Sequence, residues 1–314
     1  MHAIETTNVT KTYGDVVALD GLSLAVEAGS TFGLLGTNGA GKTTLFKLLV
    51  NHRRPDAGSL SVAGMDVSAA GRDVRRVVGY LPERAGFPPS LAGREVLRFH
   101  ARMHGIDRGE REERVADVLE TVGLADAADR AVGGYSNGMN RRLALATALL
   151  HRPPVLLLDE PTAGLDPQGV AAFHRIVEQL HGERDLTVVL SSHVLSEVEA
   201  LCDRVAILHD GQVRARGPLS ALRAEVGEGV TVRLRLAAGA DGAVVADDAA
   251  AHGEVLTATG EVVEVACDHA AVPGLLQAAL DRDAVAGYEV REPGLAQVFE
   301  AAVAGQAAGR EGLA

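Results

Sequence analysis

Hydrophobic and polar positions follow two periods along this chain, and the places where one gives way to the other mark its elements. STFGLLG, residues 30–36, is an apolar run closing on glycine, the pattern of a buried strand, and KTTLFKLLV, residues 42–50, carries apolar residues at helical spacing. A glycine-rich turn therefore joins strand to helix. PPVLLLDE and LTVVLSSH, residues 153–160 and 186–193, predict two more buried strands around the helical stretch PQGVAAFHRIVEQL, and RVAILHDG, residues 204–211, predicts another. Apolar strands alternating with helices predict a parallel sheet covered by helices, an α/β fold. Ala-Gly in RPDAGSLSVAG and Asp-Gly in LHDGQVRARG separate short alternating stretches and predict antiparallel hairpins. Between residues 94 and 151, REVLRFHARMHG, REERVADVLETVG and NGMNRRLALATALLH each carry an apolar stripe, which predicts a helical block inserted between strands.

Near Pro218 the pattern changes. GVTVRLRLA alternates strictly, GEVVEVACD and GYEVRE are strand-like, and PGLLQAALD and GLAQVFEAAVAG are helical, with a Gly/Ala/Asp-rich stretch between them that reads as loop. This predicts two domains, residues 1–218 and a small α+β unit at 219–314, within the size expected of 314 residues. Charge separates the same two regions. Of the formal net charge of -12, residues 219–314 carry -9, from 15 acidic and 6 basic side chains. An acidic balance argues against a nucleic-acid partner, whose phosphates need a basic surface. The opening MHAIETTNVTKTYG lacks a basic then apolar leader pattern, and no run of 18 apolar residues occurs, so neither secretion nor membrane spanning is expected. Cys202 and Cys267, far apart and without ligand spacing, read as buried small hydrophobes in a reducing compartment.

The strand-to-helix turn holds the first chemistry. Gly36, Gly41, Lys42 and Thr43 satisfy G-x-x-x-x-G-K-[ST] in the structural context that motif requires. Across Gly36, Thr37, Asn38, Gly39, Ala40, Gly41, Lys42, Thr43 and Thr44, backbone N–H groups and a helix N-terminus can hold a polyphosphate. Side chains at Gly39 or Gly41 are expected to fill phosphate space. Lys42 would reach the β- and γ-phosphates of a nucleoside triphosphate and Thr43 would ligate Mg²⁺. The apolar strand VLLLDEP ends in two adjacent carboxylates, and burial of one without a partner is expensive. Asp159 fits the Mg²⁺ side and Glu160 the general base for an attacking water.

With these motifs in place, residues 1 to about 218 resemble the nucleotide-binding subunit of an ATP-binding cassette (ABC) transporter. The resemblance implies a P-loop NTPase fold with ABC-type antiparallel hairpins and a helical subdomain, binding ATP and Mg²⁺. It implies that Tyr13 in KTYG stacks on adenine. Ser136 and Gly138 in YSNGMNRR would approach the γ-phosphate held by a second copy, His193 in SSH would sense that phosphate, and Asp166 in AGLDP would lie at the dimer interface. Glu83 in GYLPER stands where most members carry glutamine, a position that touches Mg²⁺ or the water and relays to the membrane subunit. Asn137 replaces a signature glycine, and Asn is tolerant of left-handed backbone. Catalysis would thus rest on Lys42, Glu160 and His193, and metal binding on Thr43, Asp159 and Glu83.

The partners so implied are a second copy, completing a nucleotide-sandwich dimer, and an integral membrane permease, with this chain peripheral on the cytoplasmic face. A GTPase reading lacks the Asn-Lys-x-Asp guanine motif, since no lysine follows Lys47, and a small-molecule kinase needs neither YSNGM nor His193. A non-transport ABC ATPase of DNA repair or translation is the alternative. Such proteins usually carry long coiled-coil insertions, whereas Lys42 and Ser136 lie close in this chain. Within the family, GYLPERAGFPPSLAGREVLRFHARMHG and HVLSEVEALCDRVAILHDG resemble exporter-type subunits, including those that serve maturation of copper-containing nitrous-oxide reductase. Outside these motifs, His100, Met103 and His104 share one helix face; a helix surface with Met103 packed inward is expected there rather than a metal site.

Overall fold

A computed structural model describes residues 1–183, 186–225, 229–282, 284–291 and 294–304. The chain divides into two compact units, Met1–Pro218 and Leu219–Ala314.

In the first unit β1 (His2–Tyr13), β2 (Val16–Glu27), β4 (Ala57–Val62) and β5 (Met65–Asp66) form an antiparallel sheet in the order β2-β1-β4-β5. A six-stranded sheet combines β3 (Thr31–Gly36), β6 (Val78–Leu81), β7 (Val155–Asp159), β8 (Thr187–Ser192), β9 (Arg204–His209) and β10 (Gln212–Pro218) in the order β10-β9-β3-β8-β7-β6. Its strands run parallel except β10, which returns antiparallel beside β9. Both expected hairpins form. Ala63 and Gly64 turn β4 into β5 with φ of 50° and 76°, and Asp210 and Gly211 turn β9 into β10 with 48° and 74°. Two consecutive positive φ values match the twist of the flanking strands.

Every residue of β3, β7 and β8 is buried. Helix α1 (Lys42–Leu49) follows β3 and buries Leu45, Phe46, Leu48 and Leu49, each worth about 1.5–3 kcal/mol relative to exposure. Helix α2 (Val67–Val77) is capped by the Asp66 carboxylate, which accepts the Ala69 N–H at 2.8 Å. The inserted block is α3 (Gly93–Met103), α4 (Arg108–Thr121) and α5 (Asn137–Leu149), while α6 (Pro167–Glu183) and α7 (Leu195–Leu201) connect the later strands. On α3 the helical period carries the buried stripe through Val96, Leu97 and Ala101. Met103 falls off that stripe and is 72% exposed, contrary to the inward packing expected of it. Because the strands are parallel, the carboxyl ends of β3, β7 and β8 share one edge. Asp159 lies level with Ser191, and Ser192 with Leu35.

The second unit comprises α8 (Leu219–Glu225), β11 (Gly229–Leu236), α9 (Gly242–Ala249), β12 (Glu254–Ala258), β13 (Val262–Asp268), α10 (Val272–Leu280), β14 (Val285–Arg291) and α11 (Leu295–Val303). Its antiparallel sheet runs β12-β13-β11-β14, so β11 to β14 with α9 and α10 make a β-α-β-β-α-β ferredoxin-like unit. Val230, Val232 and Leu234 of β11 and Val263, Val265 and Cys267 of β13 pack with Val245 and Leu275. The Gly/Ala/Asp stretch read as loop contains helix α9 instead. Asp241 caps it by accepting the Ala243 N–H at 3.0 Å, and Val245 and Ala249 supply its buried face. Cys202 and Cys267 are both buried and free, as expected. No helix among the described residues is long and apolar enough to cross a membrane.

Candidate functional site

The turn after β3 leads into α1 at the carboxyl edge of the sheet. α1 begins at Lys42 with Gly41 as N-cap, and an α-helix leaves its first N–H groups without intrahelical partners. Gly41 sits at φ 107°, and an added Cβ would lie 2.5 Å from the Ala18 carbonyl and 2.7 Å from Leu19 Cδ2. The glycine is therefore required by its contact with β2 as well as by its backbone, rather than only by phosphate space. Gly39, at φ 85°, meets nothing within 4 Å. Lys42, 6% exposed, donates through Nζ to the Gly36 carbonyl at 2.6 Å and the Thr37 carbonyl at 3.2 Å. The ammonium is thereby held inside the turn.

The two carboxylates at the end of β7 occupy different environments. Asp159 is fully buried and accepts Thr43 Oγ1 at 3.1 Å, Ser191 Oγ at 2.8 Å and Tyr80 Oη at 3.3 Å. Burial and the Asp159 carboxylate push the Tyr80 phenol well above its ordinary value, so it stays a donor. Glu160 has φ 44°, and its N–H donates to Ser191 Oγ at 3.0 Å. That left-handed backbone turns the side chain toward the glycine loop. Its Oε1 lies 3.2 Å from Lys42 Nζ, and its Oε2 accepts His193 Nδ1–H at 2.7 Å. His193 is half exposed and thus is not a core histidine. Thr43 with Asp159, and Lys42 with Glu160 and His193, are brought together from three separate β-strand ends.

Two buried residues near these carboxylates had no sequence signal. Glu197 on α7 accepts from Ser192 Oγ at 2.9 Å and pairs with Thr162 Oγ1, bracing the turn after β7 against α7. Arg141 on α5 is 7% exposed. Its Nε donates to the Pro161 carbonyl at 2.6 Å, one terminal nitrogen to Pro82 and Glu83 at 2.6 and 2.9 Å, and the other to Asp159 and Glu160 at 2.7 and 2.8 Å. Burial lowers its pKa to about 10, against the opposing pull of Asp159, Glu83 and Glu160, so the guanidinium is charged at neutral pH.

The remaining sequence-derived residues are more dispersed. Ser136 caps α5, accepting the Met139 N–H at 3.2 Å. Asn137 opens that helix without positive φ, so the left-handed tolerance considered for it is not needed. Gly138 leaves open space beside Ser136 Oγ. Asp166 accepts the Gly169 N–H at 2.7 Å at the start of α6. Glu83 is half exposed, 3.9 Å from Arg84, and borders a cavity of about 460 Å³ with Phe87, Asn137, Arg141 and Leu165. Tyr13 ends β1, 42% exposed, with Lys11 Nζ 5.5 Å from its ring centroid. In the helical block His104 stacks on His151 at 4.1 Å, and His100 meets Phe87 and Phe99 edge-on. Among the described residues no group of three or more His, Cys, Asp or Glu is arranged to hold a metal. The oxygen pair suited to a hard cation such as Mg²⁺ is instead Thr43 Oγ1 with the Asp159 carboxylate.

A family model described as "ABC transporter" matches residues 19–163. The chain is 40% identical over 220 residues to the bacitracin transport ATP-binding protein BcrA of Bacillus licheniformis, covering 70% of this chain and 71% of that one. It is 33% identical over 303 residues to the linearmycin resistance ATP-binding protein LnrL of Bacillus subtilis, covering 94% of this chain and 96% of that one. A solved structure described as the ATP-binding subunit of an ABC transporter superposes with a TM-score of 0.64 at 29% identity, over 71% of this chain and 92% of the other.

Proposed function

Because the chain belongs to the ABC transporter family of ATP-binding proteins, we propose that it hydrolyses Mg·ATP as a dimer and drives export through a separate membrane subunit. The observation that supports this most is the meeting of Thr43 Oγ1 with Asp159 beside the Lys42–Glu160 pair, joining residues far apart in sequence at one sheet edge. Residues 1–218 form the nucleotide-binding domain and residues 219–314 an accessory domain in this reading. The loop amides of residues 37–44 grip the phosphates, and Lys42 turns from the loop carbonyls to the β/γ-phosphates.

Thr43 and Asp159, with Glu83 drawn in from its half-exposed position after β6, would hold Mg²⁺, which when bound neutralises phosphate charge. Glu160 takes the proton of the attacking water, its carboxylate aimed by the imidazole of His193. Tyr13 stacks on the base. Ser136 and Gly138 face the second copy's nucleotide, and Asp166 lies at the dimer interface. The chain would act peripherally at the cytoplasmic face of a membrane, with the exposed segment around Glu83 and the helical block toward the permease.

The relatives' names specify bacitracin transport and linearmycin resistance, which favours an organic natural product as cargo over maturation of a copper enzyme. They also favour transport over DNA repair or translation. Phosphate release by the purified chain with and without magnesium tests the reading. The expected result is magnesium-dependent hydrolysis that Lys42→Ala abolishes; equal rates in the two proteins would refute it.

A further inference from the structure

We propose that Arg141 is a positioning residue that links the two nucleotide sites of the dimer, a role that rests on the dimeric ATPase reading above. A guanidinium has five N–H donors, and all five of Arg141 are engaged, each by a different backbone carbonyl. Three of those carbonyls belong to residues 159–161, at the end of β7 and just past it, and two to residues 82–83 after β6. The first set carries the candidate metal ligand Asp159 and the candidate base Glu160; the second carries Glu83. The cation is thus solvated by the very backbone that aims the hydrolytic side chains.

The other end of the link is α5 itself. Ser136 caps this helix, Gly138 lies in its first turn, and Arg141 follows five residues after the cap, about 7.5 Å along the axis. A hydrogen-bonded helix transmits a displacement at its N-terminus to its second turn. When a second copy's nucleotide draws on Ser136 and Gly138, the planar fork of Arg141 carries that movement to residues 82–83 and 159–161. No donor is left idle to absorb it. Lysine in this position offers three donors from a single point and cannot hold five carbonyls in a plane. The neighbouring Arg142 makes a useful contrast. It donates to the carbonyls of Val122 and Gly123 at 3.0 and 2.8 Å, inside the helical block.

The test uses the full chain with Arg141→Lys, Arg141→Met and the control Arg142→Lys. Hydrolysis is measured against ATP concentration with magnesium, ATP affinity is measured in EDTA, and folding is followed by thermal unfolding. The parental protein is expected to hydrolyse ATP cooperatively. Arg141→Lys should lower kcat by about 10- to 100-fold and bring the Hill coefficient to about 1, with ATP affinity within about threefold of the parent. Arg142→Lys should behave as the parent. Should Arg141→Met fail to fold, Arg141→Lys carries the test. Parental kcat and Hill coefficient in Arg141→Lys would overturn this inference alone, as would a loss matching the unfolded fraction with cooperativity unchanged. A parental protein that binds no ATP would overturn the functional reading together with it.

Discussion

Gly41 and Gly39 are two glycines of one loop with different reasons to be there, and alanine separates those reasons. Both have positive φ, 107° and 85°, so each alanine incurs about 1–2 kcal/mol of backbone strain. Only Gly41→Ala also drives a methyl to 2.5 Å from the Ala18 carbonyl and 2.7 Å from Leu19 Cδ2. Overpacking of that kind adds about 1–3 kcal/mol, because neither a strand carbonyl nor a fully buried leucine can step aside freely. Gly41→Ala is therefore expected to lose about 3 kcal/mol in the nucleotide-free protein. For a cooperative unit of this size, that is a fall in Tm of roughly 6–12 °C.

Gly39→Ala should lose roughly 2–8 °C, since its methyl points into open space and adds no overpacking. Its larger effect should appear on ATP affinity, where the methyl competes with phosphate. Thermal unfolding without nucleotide and equilibrium ATP titration of both variants make the comparison. Equal Tm losses in the two would refute the contact with β2 as the reason for Gly41, and an unchanged ATP affinity in Gly39→Ala would refute the placement of phosphate.

Thr43→Val keeps the shape of the side chain and removes the hydroxyl bonded to Asp159, so the magnesium needed for half-maximal hydrolysis should rise by about 10- to 100-fold; an unchanged magnesium titration would refute the pairing. His151 should make stability depend on pH. Burial, and then the charge of His104, lower its pKa from 6.5 to about 4, so within that window the unfolded chain holds the extra proton. Stability is fully present above about 6.5 and should fall by up to ~3 kcal/mol as pH drops toward 4. Urea unfolding across that range should show the slope in the parent and a flatter profile in His151→Gln, whose amide can still donate to the Val78 carbonyl; identical slopes would contradict it.

The parallel sheet, the glycine turn and the carboxylate pair could be read from the chain because each rests on a local signal: apolar runs, a strand-to-helix glycine spacing, and charge at a strand end. What escaped depended on distant partners or broken periodicity. β1 carries register shifts between Thr6 and Val9 and between Val9 and Lys11, with Asn8 at φ 49°, so its alternation is interrupted where a reader would look for it. Arg141 is one of two adjacent arginines, and nothing local distinguishes the one that meets carbonyls of residues 82–83 and 159–161 from the one that stays in the helical block. Glu197 sits in SEVEA, which reads as an exposed helix face, yet Ser192 and Thr162 hold its carboxylate inside. The contact that demands Gly41 comes from β2, a strand whose pairing the local pattern did not reveal.

The reading of the site depends above all on Glu160 acting as the base within a pocket that two copies complete. Glu160→Gln should leave the phosphate loop intact while removing the proton acceptor. Light scattering of this variant with Mg·ATP is expected to show its mass rise from 32.6 kDa to about twice that, with no phosphate released. A variant that remains a monomer with bound ATP, or that hydrolyses at the parental rate, would contradict it.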